Sequence, residues 1–243
     1  MLETRPFLRM GPGRAAPLAV PLVEARGVTR EFQMAGQTVT ALQSATLRIH
    51  PGDRIALLGP SGSGKSTLLY LLGGLDTPTS GTVTWPALGQ GPDLRPGKVA
   101  FVFQAQSLLP PLTALENVAL PLLLGGQSPD AAEQEAAAWL ERLALHSLAH
   151  QLPEELSGGQ AQRVAVARAL VTHPRLILAD EPTGQLDSAT AQRLLDVLLA
   201  SLGPDVALVM ATHDLHAAHR MDTLWRMQDR QLISVTHGPE EGS

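Results

Sequence analysis

The chain has no cysteine, so it can hold no disulfide framework, no thiolate metal site and no cysteine nucleophile. Aromatic residues make up only 3% of it, four phenylalanines, one tyrosine and three tryptophans, so an aromatic among polar neighbours stands out. Long apolar runs are missing too. The best candidate, Val118 to Leu124, is cut by Pro121 and closed by Gly125-Gly126, short of the ~18 residues that a membrane span needs. Lysine is nearly absent, with Lys65 and Lys98 set against sixteen arginines. A net charge of −5 leaves no basic balance, which argues against nucleic acid as a partner. What remains is a chain of 243 residues, 44% hydrophobic, able to build one large domain or a core with one or two subdomains. Residues 1–23 carry Arg5, Arg9 and Arg14, but Pro12, Pro17 and Pro21 break any signal-peptide core. This segment reads as a flexible extension, or as sequence upstream of a start near Met10, and a cytoplasmic location is the simplest expectation.

Gly59-Pro60-Ser61-Gly62-Ser63-Gly64-Lys65-Ser66-Thr67 fits G-x-x-x-x-G-K-[ST] at every fixed position. Three glycines let the backbone turn tightly and aim successive N–H groups inward, making an anion-binding nest at a helix N-terminus. Lys65 is expected to reach the β- and γ-phosphates of a nucleotide, and the Ser66 hydroxyl to ligate Mg²⁺. The flanks agree, since Arg54 to Leu58 reads as a buried strand and Ser66 to Leu72 as a helix closed by Gly73-Gly74. The competing explanation is a Gly/Ser-rich connector that happens to contain lysine. Composition speaks against it, because a sequence that otherwise uses arginine places a compact ammonium here, as close phosphate contact requires.

Short apolar stretches separated by turns, Val28 to Phe32, Thr38 to Leu42, Ala45 to Ile49, Gly81 to Trp85 and Lys98 to Phe103, predict a strand-rich subdomain. Phe32 lies among polar residues, although core packing is the usual fate of such a side chain. From Gln104 to about Leu170 the pattern turns helical. Thr113 with Glu116 predicts a capping box, Ser128-Pro129 a second helix start, and Ala136, Trp139, Leu140 and Leu143 a core-facing stripe. Ser157-Gly158-Gly159-Gln160 predicts another capping box whose glycines leave the helix N-terminus bare; spacing alone fits an anion site and a ligand-free cap equally. The strand Leu176 to Ala179 delivers Asp180 and Glu181 at its C-terminal end, where α/β sheets place ligands. Strand alternation predicts opposite directions for the two carboxylates, Asp180 toward Mg²⁺ and Glu181 toward a water beyond the γ-phosphate; solvated loop acids are the alternative. His213 follows the strand Val206 to Ala211 and is placed to donate to phosphate, while His216 and His219 lack the well-placed acid that a zinc site needs.

Taken in order, these residues resemble the nucleotide-binding subunit of an ABC transporter. Gly59 to Ser66 matches Walker A, Gln104 the Q-loop, Leu156 to Gln160 the LSGGQ signature, and Leu176 to Asp180 Walker B. Glu181 matches the catalytic carboxylate, Gly184 to Asp187 the D-loop and His213 the switch histidine, and the likeness spans roughly residues 24 to 235. The phrases Leu71 to Gly81 and Leu109 to Val118 are similar to the branch of lipoprotein-release, macrolide-export and cell-division ATPases. Three features depart from it: a shorter 81–104 segment, Asp229-Arg230 in place of Asp-Gly, and Phe32 where tyrosine is common.

The resemblance implies an α/β fold, a P-loop NTPase (RecA-like) core with an antiparallel β subdomain and an α-helical signature subdomain at about 105–170. An ABC ATPase domain over 24–235 would be followed by a tail over 236–243. It further implies ATP hydrolysis with Mg²⁺ at Ser66, Gln104 and Asp180, catalysis by Glu181, His213, Lys65 and Gln104, and Phe32 stacked on adenine. Ser157, Gly158, Gly159 and Gln160 would close the site of a second copy, head to tail, and integral membrane permease subunits would hold the chain peripherally at the cytoplasmic face of the inner membrane. Output remains open between transport and regulatory signalling to an extracytoplasmic enzyme. A soluble ATPase acting on DNA or ribosomes is disfavoured by the acidic balance and the lack of a coiled-coil insertion.

Overall fold

The computed structural model describes residues 19–34, 36–89, 91–103 and 107–237. Two long strands, β1 (Val23–Met34) and β2 (Gln37–Ile49), form an antiparallel hairpin in which Val23 faces Ile49 and Phe32 faces Val39. A short strand β3 (Arg54–Leu58) runs into helix α1 (Lys65–Leu72), and β4 (Ser80–Thr84) returns to pair antiparallel with β1. After β5 (Val99–Val102) the chain is helical through α2 (Ala114–Leu124), α3 (Pro129–Arg142) and α4 (Gly158–Leu170). It then alternates: β6 (Leu176–Asp180), α5 (Ser188–Ala200), β7 (Ala207–Thr212), the short α6 (Leu215–Ala218), β8 (Thr223–Gln228) and β9 (Gln231–His237).

Among the described residues the strands form one sheet in the order β4-β1-β2-β9-β8-β3-β7-β6-β5. The stretch from β8 through β5 is parallel, and pleat alternation sends its side chains into two cores. Ile55, Leu57, Leu176, Leu178 and Val209 pack with the leucines of α1, whereas Ala56, Leu58, Ile177, Ala179, Leu208 and Met210 pack under α2, α4 and α5. Both faces are covered, which is why these strands read as continuous apolar runs.

Two strand expectations change. Thr38 to Leu42 and Ala45 to Ile49 are one strand, because Ser44 (φ 22°) absorbs the irregularity as a kink instead of a turn. Lys98 to Phe103 does not join the antiparallel half: its strand, β5, pairs parallel with β6, Ala100 facing Ile177, at the far edge of the sheet. Helix starts follow the capping chemistry more closely. Glu116 accepts from the Thr113 N–H at 2.7 Å and Thr113 Oγ1 accepts from the Glu116 N–H at 3.2 Å, closing the box that opens α2. Ser128 precedes Pro129 as expected, yet its side chain makes no capping hydrogen bond. The stripe Ala136, Trp139, Leu140 and Leu143 is buried.

Candidate active site

The phosphate-binding loop leaves β3 at Leu58 and enters α1 at Lys65. Two of its glycines, Gly59 and Gly64, are fixed by close backbone approach. A Cβ on Gly59 would lie 2.6 Å from the Met227 carbonyl oxygen, and one on Gly64 (φ 96°) would lie 2.5 Å from that of Ala41. The loop is therefore clamped between β8 and β2, and α1 begins without any side-chain cap on its N–H groups. Lys65 is 6% exposed and donates to the carbonyls of Gly59 at 2.8 Å and Pro60 at 3.1 Å. The Ser63 hydroxyl is buried with no protein partner. An orphaned hydroxyl beside uncapped N–H groups and a buried ammonium makes a cradle whose chemistry fits a polyphosphate. A cavity of about 330 Å³ opens over it, with Val39 to Ala41 along one side, Asp180 and Glu181 along another, and Ser61, Gly62, Ser66 and Thr67 in its wall.

Asp180 ends β6 and is buried. Loss of water pushes its carboxyl above the ordinary carboxylate range; a hydrogen bond from Ser66 and the Lys65 charge pull the other way, while the neighbouring Glu181 adds to the rise. A buried carboxylate paired with a hydroxyl, both hard oxygen donors, fits Mg²⁺.

Glu181 is where alternation fails. The strand stops at Asp180, and Glu181 turns into the left-handed region (φ 45°), with its N–H donated to the Ala211 carbonyl at 2.9 Å. Both carboxylates consequently line the same cavity. Glu181 Oε1 lies 3.6 Å from Lys65 Nζ and Oε2 lies 2.9 Å from His213 Nδ1. Non-glycine residues pay about 1–3 kcal/mol for such backbone, and here the excursion sets the carboxylate between the Lys65 ammonium and the His213 ring.

The other expected site residues are spread more widely. Phe32 is 38% exposed on the hairpin and is not part of the cavity lining, though its cross-strand partner Val39 is. The Arg30 guanidinium stacks 4.4 Å from the Phe32 ring centroid and donates to Asp76 at 2.8 Å. Ser157 and Gln160 close a capping box, with the Ser157 N–H donated to Gln160 Oε1 at 2.7 Å, but no residue from 157 to 160 lines the phosphate cavity. The two glycines differ: a Cβ on Gly158 meets open space, whereas one on Gly159 would sit 2.6 Å from Thr190 Cγ2 of α5. Gln104 lies outside the described residues. Asp187 caps α5, accepting from the Thr190 N–H at 3.0 Å.

Three contributors escape a reading of motifs. Gln162, two residues past the signature, is buried and donates to the Phe103 carbonyl at 3.1 Å, tying α4 to the residue before Gln104. Its one sequence signal is a glutamine in an otherwise alanine- and valine-rich helix. Ala41 supplies the carbonyl that packs on Gly64, a backbone role without any side-chain signal. Arg230, conspicuous as a departure from Asp-Gly, lines the cavity itself.

Comparison with known proteins gives a consistent picture. A family model described as ABC transporter matches residues 42–184. The lipoprotein-releasing system ATP-binding protein LolD of Pseudomonas fluorescens is 46% identical over 224 residues, covering 88% of this chain and 98% of the relative. LolD of Legionella pneumophila strain Paris is 50% identical over 205 residues, covering 81% and 90%. Among solved structures, the dimeric post-hydrolysis state of the ATP-binding cassette MJ0796 bound to ADP and Pi superposes with a TM-score of 0.81 at 36% identity, covering 90% of this chain and 99% of that one.

Proposed function

This chain belongs to the ABC transporter family, as an α/β ATP-binding cassette and ATPase, and on that premise we propose that it powers a lipoprotein-release type exporter by closing head to tail on a second copy of itself around ATP. The observation that carries the proposal is the convergence of Lys65, Asp180 and Glu181 on the cradle formed by the glycine loop, with His213 joined to it through Glu181. Similarity to LolD supports lipoprotein release as the transport class.

In this reading the N–H groups of Gly62 to Ser66 and the Lys65 ammonium hold the β- and γ-phosphates. Ser66 and Asp180 hold Mg²⁺, which when bound offsets charge on the phosphate oxygens. Glu181 orients the attacking water and accepts its proton, and the left-handed bend aims its carboxylate. His213 and Lys65, on either side of that carboxylate, stabilise charge that builds on the γ-phosphate. Phe32, braced by the Arg30 stack, offers its other ring face to adenine. Gln104 couples the γ-phosphate to the membrane partner, with Gln162 steadying the residue before it.

Ser157 to Gln160 serve the partner copy. The cap is absent from its own phosphate cavity, and the open space above Gly158 suits a phosphate approaching along the axis of α4. No helix among the described residues is long and apolar enough to cross a membrane. Similarity to LolD supports attachment to permease subunits at the cytoplasmic face, and the apolar groove of about 400 Å³ between β5 and α2 that Phe101, Phe103 and Leu120 line is the surface proposed for it.

Lys65→Ala tests the site. It should weaken ATP binding at least ~100-fold, since removing a buried charge-assisted contact costs on the order of 3 kcal/mol; unchanged affinity by isothermal titration would remove the basis of the proposal.

A further inference from the structure

The turn joining β8 to β9 holds two consecutive non-glycine residues in left-handed backbone, Asp229 (φ 48°) and Arg230 (φ 67°). Such turns favour glycine at the second position, and arginine there is held against its conformational preference. The turn is not loose. The Gln43 N–H donates to the Arg230 carbonyl at 2.7 Å, and Gln231 Nε2 donates to Gln43 Oε1 at 2.5 Å, so the tip is pinned to β2. The Arg230 side chain is exposed, has no ion pair among the described residues, and lines the phosphate cavity.

Register locates it further. Along β2, Val39 faces Phe32, Ala41 packs its carbonyl on Gly64, and Gln43 carries Arg230, so the arginine lies at the phosphate end of the cavity and not at the Phe32 end. Across the sheet, β8 and β6 lie on opposite sides of β3, and with them Arg230 and the pair Asp180 and Glu181. The cation therefore stands on the flank away from the carboxylates that handle the γ-phosphate.

We propose that Arg230 is a nucleotide-affinity residue, pairing with the part of the phosphate chain that ADP and ATP share and thereby slowing release of both. This rests on the nucleotide reading of the same cavity. A guanidinium suits the role, since its fork can serve two phosphate oxygens and its charge persists at any physiological pH.

The test is titration of the full-length chain with ADP, and of its Glu181→Gln form with ATP, both with excess Mg²⁺, comparing Arg230 with Arg230→Gly and Arg230→Lys. Glycine fits φ 67° better than arginine, so Arg230→Gly should melt no lower than the parent. It should nonetheless bind ADP and ATP about three- to tenfold more weakly, by nearly the same factor, the range for one partly exposed charge-assisted contact. Arg230→Lys should recover much of the loss, and the parent should lose affinity more steeply with salt than Arg230→Gly does. Binding of both nucleotides within twofold of the parent, or a loss confined to ATP, would overturn the assignment. Lys65→Ala serves as the control: if it loses nucleotide while Arg230→Gly does not, only the Arg230 role fails, and if neither loses it, the nucleotide reading fails as well.

Discussion

At the scale of single residues, Glu181 joins an energetic cost to a chemical use. Its left-handed backbone and its place between Lys65 and His213 leave a carboxylate that is fixed in direction and close to both side chains. Glu181→Gln keeps the length and shape of the side chain and removes the negative charge. It should bind ATP at least as tightly as the parent and lose at least ~100-fold in turnover, the lower range for a general base. Phosphate-release kinetics give the rate, and turnover within a few-fold of the parent would exclude Glu181 from the reaction. The types of these residues were legible in the sequence: Lys65 stood out by rarity and Asp180-Glu181 by position after an apolar run. The direction of Glu181 was not, because strand alternation stops applying where the strand ends, at Asp180, and Glu181 lies beyond it.

Secondary-structure elements show the same division between local and distant causes. The boxes at Thr113 and Ser157 could be read because a cap and its partner three residues on form a local hydrogen-bonded unit. Which half of the sheet β5 joins could not, since that depends on pairing with β6 almost eighty positions later, and neither its length nor its apolar content differs between the two placements. The cap of α2 gives an element-scale prediction. Thr113→Ala should cost about 1 kcal/mol by chemical denaturation at neutral pH. Glu116 is held below its ordinary pKa of 4.5, first by the Thr113 backbone hydrogen bond and then by the Thr113 hydroxyl. A carboxyl with a lowered folded-state pKa stabilises above its unfolded value and loses that contribution as pH falls through the folded value. The melting deficit of Glu116→Ala should thus be present at pH 7 and shrink below about pH 4.5; a deficit that stays constant into the acid range would assign it to packing.

For the whole molecule, the central claim is that the site described within one chain is incomplete. The cradle proposed to hold phosphates is built from the side of β3 and α1, while the α4 N-terminus does not line that cavity and leaves open space above Gly158. On the proposed reading a second copy supplies the missing cap, which would tie ATP binding to a change of assembly that a membrane partner can use. The claim has a fold-neutral control. Gly158→Glu places a side chain where nothing is within 4 Å, and an acid in the first turn favours the helix, so the monomer should stay as stable as the parent. Facing a partner's γ-phosphate, the same carboxylate repels it. The decisive measurement is the mass of Glu181→Gln by size exclusion with light scattering, without nucleotide, with ADP and with saturating Mg-ATP, alone and combined with Gly158→Glu. The account predicts monomer in the first two conditions, dimer with ATP, and return to monomer when Gly158→Glu is added; a Glu181→Gln chain that stays monomeric with ATP bound, or a Gly158→Glu form that still dimerises, would contradict it.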